Sequence, residues 1–166
     1  MGELTDSASN SIGYGRYYGA PTLVDYDDDG DLDLLLGGYY GTVYYYRNIG
    51  TTTAPVWEAV GEITDSGSVT IDAGSSCAPC FVDIDGDGDH DLFVGNSNGY
   101  LVFYKNTGTS AAPVWSLVYS QYAMISVASY SAPGMGDLDG DGDQDLMVGS
   151  YDGTVIYAQN TGSTTA

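Results

Sequence analysis

Three stretches of this 166-residue chain carry aspartate at alternate positions: Asp25-Tyr26-Asp27-Asp28-Asp29-Gly30-Asp31-Leu32-Asp33, Asp83-Ile84-Asp85-Gly86-Asp87-Gly88-Asp89-His90-Asp91 and Asp137-Leu138-Asp139-Gly140-Asp141-Gly142-Asp143-Gln144-Asp145. Carboxylates crowded in this way repel one another strongly unless a hard cation neutralises them. Oxygen donors at the first, third, fifth, seventh and ninth positions around a tight glycine turn are what Ca2+ takes, so the ladders point to three calcium sites, one in each. An EF-hand also opens on Asp-X-Asp-X-Asp-Gly, but it closes on a bidentate glutamate at position twelve and is flanked by helices. Here position twelve is Leu36, Val94 or Val148, each inside an apolar, β-like run.

Other chemistry finds little support. Paired aspartates can act as acid and base in glycoside hydrolysis, yet carboxylates committed to a metal at equal spacing in every stretch are poorly placed for two different roles. His90 is the only histidine, its aligned positions hold Leu32 and Gln144, and no serine, histidine and aspartate set accompanies it, so catalysis is not expected within this chain. Cys77 and Cys80 form a Cys-Ala-Pro-Cys group. Redox chemistry would need a helix N-terminus in a βαβ setting, and two ligands are too few for zinc. They read as small core residues with free thiols, or as a local disulfide in an oxidising compartment.

The ladders recur with periods of 58 and 54 residues, the scale of one four-stranded propeller blade. Each unit opens on Ala-Pro (Ala20-Pro21, Ala78-Pro79, Ala132-Pro133) and a short run into the ladder; proline suits the first residue of a strand, where no ladder donor is lost. A second apolar run ends in glycine at Gly37, Gly95 and Gly149, and a polar turn follows, with Gly41, Gly99 or Gly153 placed where a hairpin wants positive φ. The third strand runs through Val43-Tyr44-Tyr45-Tyr46, Leu101-Val102-Phe103-Tyr104 or Val155-Ile156-Tyr157. Second and third strands are apolar on both faces, as a sheet packed between two other sheets requires. Pro55-Val56-Trp57 and Pro113-Val114-Trp115 read as an outer fourth strand, which only two units have. Gly2-Glu3-Leu4-Thr5-Asp6-Ser7 repeats Gly61-Glu62-Ile63-Thr64-Asp65-Ser66, the segment after that strand.

The expected organisation is therefore an all-β chain of three repeats in one domain over 1–166: blade 1 about 20–60, blade 2 about 78–118, blade 3 about 132–166 without its outer strand, and 1–19 as a connector. Propellers usually close with four to eight blades. The ring would then be completed by further blades of a parent protein or by a homodimer of six blades, the N-terminal segment of one copy covering the open edge of the other.

The formal net charge is −20, from 23 acidic against 3 basic side chains, with six acids in the first ladder and five in each of the others. Three Ca2+ ions would still leave a strongly negative protein, which disfavours nucleic acid and anionic membranes as partners; only Arg16, Arg47 and Lys105 could meet a phosphate. A hydrophobic fraction of 43% and 16 tyrosines argue for a packed core. No run is long and apolar enough for membrane insertion, and Met1-Gly2-Glu3-Leu4 lacks the basic and apolar regions of a signal peptide.

Ala-Pro, an apolar run, Asp-X-Asp-Gly-Asp-Gly-Asp-X-Asp-Leu, a Val-Gly ending and a Gly-X-Val-Tyr strand resemble the FG-GAP/VCBS repeats, the calcium-loop blades of integrin alpha-chain propellers and of many secreted microbial proteins. The resemblance covers nearly the whole chain in three in-register copies. It implies a β-propeller with one Ca2+ per blade, held by the side chains of Asp25, Asp27, Asp29 and Asp33 with the Asp31 carbonyl, of Asp83, Asp85, Asp87 and Asp91 with the Asp89 carbonyl, and of Asp137, Asp139, Asp141 and Asp145 with the Asp143 carbonyl. The first loop departs from the pattern at Asp28, where the others have Gly86 and Gly140. An extracellular or cell-surface adhesion or recognition module follows as the expected function, with calcium mainly structural. The alternatives are the propeller portion of a secreted polysaccharide-active enzyme, or an excised or designed fragment that self-assembles. The rim opposite the ladders carries Tyr17, Tyr18, Tyr39, Tyr40, Tyr130 and Tyr151, and exposed loop tyrosines suit a glycan or protein ligand.

Overall fold

The computed structural model describes residues 3–13 and 18–162, so Tyr17, Arg16 and the repeated Gly2 lie outside the described residues. Among the described residues, eleven strands form three antiparallel meanders. The first sheet is β1 (Ala20–Val24), β2 (Asp33–Gly37), β3 (Val43–Asn48) and β4 (Trp57–Glu62). The second is β5 (Ala78–Val82), β6 (Asp91–Gly95), β7 (Leu101–Asn106) and β8 (Trp115–Tyr119). The third is β9 (Ala132–Gly136), β10 (Asp145–Gly149) and β11 (Val155–Ala158). No α-helix occurs among the described residues, only a 3-10 turn at Tyr122–Met124. Sheets of four, four and three strands, each strand beside its neighbour in sequence, are propeller blades with the last lacking an outer strand.

Local sequence explains the strand limits. Each inner strand begins at its Ala-Pro, and Val24 pairs with Asp33, Val82 with Asp91 and Gly136 with Asp145, so each aspartate ladder is the hairpin loop between first and second strands. The next turns are closed by Gly41, Gly99 and Gly153 at φ +91°, +80° and +86°, a region that disfavours side chains. Inner strand packs on inner strand, β5 between β1 and β9, which puts the first strands nearest the axis. All three ladders therefore lie at one end of the assembly, and the second-to-third turns and connectors at the other.

Because alternate residues face opposite sides of a strand, every sheet has a leading face toward the next sheet and a trailing face toward the previous one. Leu35, Val43 and Tyr45 on the leading face of the first sheet share a core with Leu92, Val94, Val102 and Tyr104 on the trailing face of the second. Phe93, Leu101 and Phe103 lead from the second sheet toward Met135, Leu146 and Val148 of the third. Packing is close at the ends of β2 and β6. A Cβ on Gly37 would lie 2.2 Å from the Cys77 carbonyl oxygen, and one on Gly95 2.1 Å from that of Ser131, so glycine is needed there for the next connector to cross. The expectation of two buried faces holds for the first two sheets. It does not hold for the leading face of the third, where Met147, Val155 and Tyr157 are exposed.

The connectors interlock the blades. Asp65 caps a turn by accepting from the backbone N–H groups of Gly67 (2.8 Å) and Val69 (2.9 Å), and the Ser66 N–H then donates to the Trp115 carbonyl at 2.8 Å, on the outer strand of the following blade. The N-terminal segment builds the same turn: Asp6 accepts from Ala8 and Asn10, and Ser7 donates to the Trp57 carbonyl at 2.7 Å. The segment thus latches onto the outer strand of its own first blade. The cysteines form no disulfide: Cys77 is buried, its thiol donating to the Thr42 carbonyl at 3.2 Å and pushed up to about 11 by burial.

Candidate metal centres

Each ladder coils around its first aspartate. Asp25 accepts from the N–H groups of Asp29 (3.1 Å) and Gly30 (3.0 Å); Asp83 accepts from Gly86, Asp87 and Gly88 at 2.8, 3.2 and 3.0 Å; Asp137 accepts from Gly140 and Gly142 at 2.7 and 3.1 Å. The seventh residue is fixed by an N–H donated to the fifth carboxylate, from Asp31 to Asp29, Asp89 to Asp87 and Asp143 to Asp141. These bonds hold the first and fifth carboxylates against the loop backbone. In each loop, Asp25/Asp27/Asp29, Asp83/Asp85/Asp87 and Asp137/Asp139/Asp141, the three offer carboxylate oxygens within 4.8 Å of one another. An all-oxygen donor set on a strand hairpin suits a hard cation.

Asp28, the departure in the first loop, takes φ +58°, the left-handed geometry that Gly86 and Gly140 supply at φ +72° and +81°. Aspartate tolerates this region better than most residues. Its carboxylate accepts from the Ser110 hydroxyl at 3.1 Å, tying the first loop to the second blade.

The ninth aspartate is the deepest of each ladder: Asp33, Asp91 and Asp145 are buried and bridge the loop to the end of the third strand. One carboxylate oxygen accepts from the backbone N–H of Asn48 (2.6 Å), Asn106 (2.8 Å) or Asn160 (2.8 Å). The other oxygen differs between repeats. Tyr45 donates its hydroxyl to Asp33 at 3.0 Å and Tyr157 to Asp145 at 3.2 Å, whereas the second repeat has Phe103 at that position. The free Oδ2 of Asp91 has no hydrogen-bond partner, and neither has Oδ1 of Asp27 or Asp85. Buried carboxylate oxygens without partners are costly, and all three belong to positions that the aspartate pattern assigns to metal. The residues therefore fit a calcium ion. A cation is already drawn to the second loop: Lys105 pairs with Asp85 and lies 3.6 Å from Asp87, holding the Asp85 carboxyl below its usual range. At the aligned positions Arg47 turns instead to Glu58 at 2.5 Å, and Gln159 donates to Asp139.

Burial, reinforced by the charges of Asp85 and Asp87, pushes Asp91 up to about 6 in the absence of metal, and burial raises Asp27 and Asp33 as well. A carboxyl raised on folding contributes stability that is full below its unfolded value, about 3.9, and is lost as pH rises through about 6. The chelated protein should therefore melt higher at pH 5 than at pH 7. With calcium the slope should reverse, because protons compete with the metal for the same oxygens. Melting curves in chelator and in calcium at the two pH values check this; parallel slopes would refute it.

At the opposite end, Tyr18, Tyr39, Tyr40, Tyr130 and Tyr151 are exposed, while Tyr17 lies outside the described residues. They form two groups. Tyr130 lies between Tyr18 (ring centroids 5.9 Å apart) and Tyr151 (5.5 Å), lining with Ala132, Gly149 and Ser150 an open depression of about 410 Å³. Tyr39 and Tyr40 meet edge to face at 5.4 Å. Tyr18 and Tyr130 hold φ +66° and +49°, as does Ser76 at the matching position (+55°). A bulky residue in that region is strained, and such strain persists only where the surroundings enforce it. This geometry was hidden in the sequence, where nothing marks a tyrosine as left-handed.

The FG-GAP-like repeat pattern matches the chain twice, over residues 25–94 and 83–148, each match running from one ladder through the next. No curated protein matches the chain.

Proposed function

The chain belongs to the FG-GAP-like repeat family, and from that premise we propose that it is a calcium-stabilised, non-catalytic propeller module of the extracellular space or cell surface that recognises a glycan or protein. The observation that carries this reading is the threefold repetition of one donor arrangement, with unpartnered buried oxygens at Asp27, Asp85 and Asp91. Ca2+ supplies charge neutralisation there. Asp25, Asp27, Asp29 and Asp33, with their counterparts in the other two loops, hold it, and the ninth aspartate transmits the order of each loop to the third strand. Identical donors in all three blades argue for a structural ion in each. Calcium of the extracellular space would fill sites with Kd of roughly 10⁻⁵ to 10⁻³ M.

Recognition belongs at the tyrosine-bearing end. Tyr18, Tyr130 and Tyr151 present flat, amphipathic surface beside a depression, where a sugar ring or an aromatic or proline side chain can stack. Tyr151 is 80% exposed, so Tyr151→Ala removes contact area without opening the core. Calcium titration by calorimetry should give three sites per chain. A glycan and protein array probed with the calcium-loaded protein should give a ligand whose binding Tyr151→Ala weakens about tenfold or more, the scale of an aromatic hot spot, with melting unchanged. Binding indifferent to Tyr151→Ala and Tyr39→Ala/Tyr40→Ala would place recognition elsewhere.

A further inference from the structure

We infer that the leading face of the third blade is a docking surface for the first blade of a second copy of this chain, so that two copies close one six-bladed ring. The junction is already built twice within the chain, which makes the exposed face directly comparable with two buried ones. Met147, Val155 and Tyr157 are 42%, 61% and 51% exposed. Their equivalents are Leu35, Val43 and Tyr45 in the first blade and Phe93, Leu101 and Phe103 in the second, none more than 8% exposed, because the following blade covers them.

Backbone space tells the same story. Gly37 and Gly95 are in tight contact with the next connector, at Cys77 and Ser131, but a Cβ on the equivalent Gly149 would meet only Ala132 of its own blade, at 3.8 Å. Likewise a Cβ on Gly99 would lie 2.1 Å from the Val127 carbonyl oxygen, and one on Gly153 meets nothing within 4 Å. The third blade thus presents the same close-approach channel as the other two, and among the described residues no connector fills it.

The complementary half lies at the other end of the molecule, where Leu34, Leu36 and Tyr46 on the trailing face of the first blade are already buried with Ile12 packed against them, and the exposed apolar residues are Leu4 and Leu23. Within the chain, Ile63 crosses to the next blade, donates its N–H to the Val43 carbonyl at 3.0 Å and is 6% exposed. Leu4 occupies the same place in the N-terminal copy of that segment: Thr5 bridges Ser11 as Thr64 bridges Thr70, and Ile12 donates to Leu4 as Ile71 donates to Ile63. Yet Leu4 is 51% exposed, and Leu23 of β1 57%. In the closed ring Leu4 would meet Val155 of the second copy as Ile63 meets Val43, and Gly19 would cross Gly149 as Cys77 crosses Gly37. A head-to-tail contact closes when the rotations complete a turn. Two copies carry six blades, within the range of four to eight that closed propellers use, and three copies would exceed it.

Light scattering on the 166-residue chain in calcium at micromolar concentration should give twice the mass of one chain. Gly149→Ala fits within its own blade and should leave the folded protomer intact but give the mass of a single chain. Leu4→Asp, at the other half of the junction and exposed in the protomer, should do the same, keeping the circular dichroism of the folded state. A wild-type mass of one chain, an open series of larger species, or a dimer that survives Leu4→Asp would overturn the proposal.

Discussion

Chelating calcium is expected to lower the melting temperature by on the order of 15 °C or more. Nine carboxylates converge in three triads, and without a cation their repulsion acts directly on the loops that join each inner strand to the next. A ligand bound only by the folded state contributes about 2.7 kcal/mol at a hundredfold excess over Kd, up to about 8 kcal/mol for three independent sites. For a domain of this size about 2–4 °C accompanies each kcal/mol. The second loop should carry the largest share. Its Asp91 has an oxygen that no hydroxyl satisfies, whereas Tyr45 and Tyr157 serve Asp33 and Asp145. Scanning fluorimetry with excess chelator, then with calcium restored, checks the prediction; superimposed curves would remove calcium from the stability of the fold.

Phe93→Ala should destabilise by about 3–5 kcal/mol, the usual cost of emptying a fully buried aromatic site. Phe93 is wholly buried on β6, stacked on Phe103 at 4.5 Å and edge-on to Tyr122 at 4.9 Å, and it fills the junction between the second and third blades. The backbone there cannot collapse inward, since Gly95 already brings β6 against Ser131. Denaturant unfolding in calcium measures the loss. A change below about 1 kcal/mol, the level of a conservative swap, would mean that the blades are held by their connectors and not by this core.

Most of the architecture was legible in the sequence because it is written in repetition. Ala-Pro marks the first residue of all three inner strands, the aspartates mark the hairpin loops, and the glycine endings mark where β2 and β6 stop. The triads were legible as well, since alternate residues around a tight turn converge. What escaped the sequence depends on side chains meeting across strands. That Tyr45 and Tyr157 serve the ninth aspartate while Phe103 cannot is a cross-hairpin relation with no spacing of its own. Asp28 reads as an imperfect glycine, and only the fold shows its carboxylate reaching Ser110, 82 residues away. Lys105 joins the second ladder while Arg47 leaves the first for Glu58, a choice set by what β4 places opposite. Of the six tyrosines named for the opposite end, Tyr17 lies outside the described residues and the other five are exposed; their division into a trio and a pair has no signal in the sequence.

The bond from Ser66 to the Trp115 carbonyl has a consequence for how the molecule comes apart. The outer strand of a blade is held by a residue that leaves the blade before it. A protease cutting the exposed turn at Gly67–Ser68 would therefore loosen β8, downstream of the cut, while β4 kept its pairing with β3. Protection against amide exchange along β8 would fall first, and the damage would travel in one direction along the chain, from each blade to its successor.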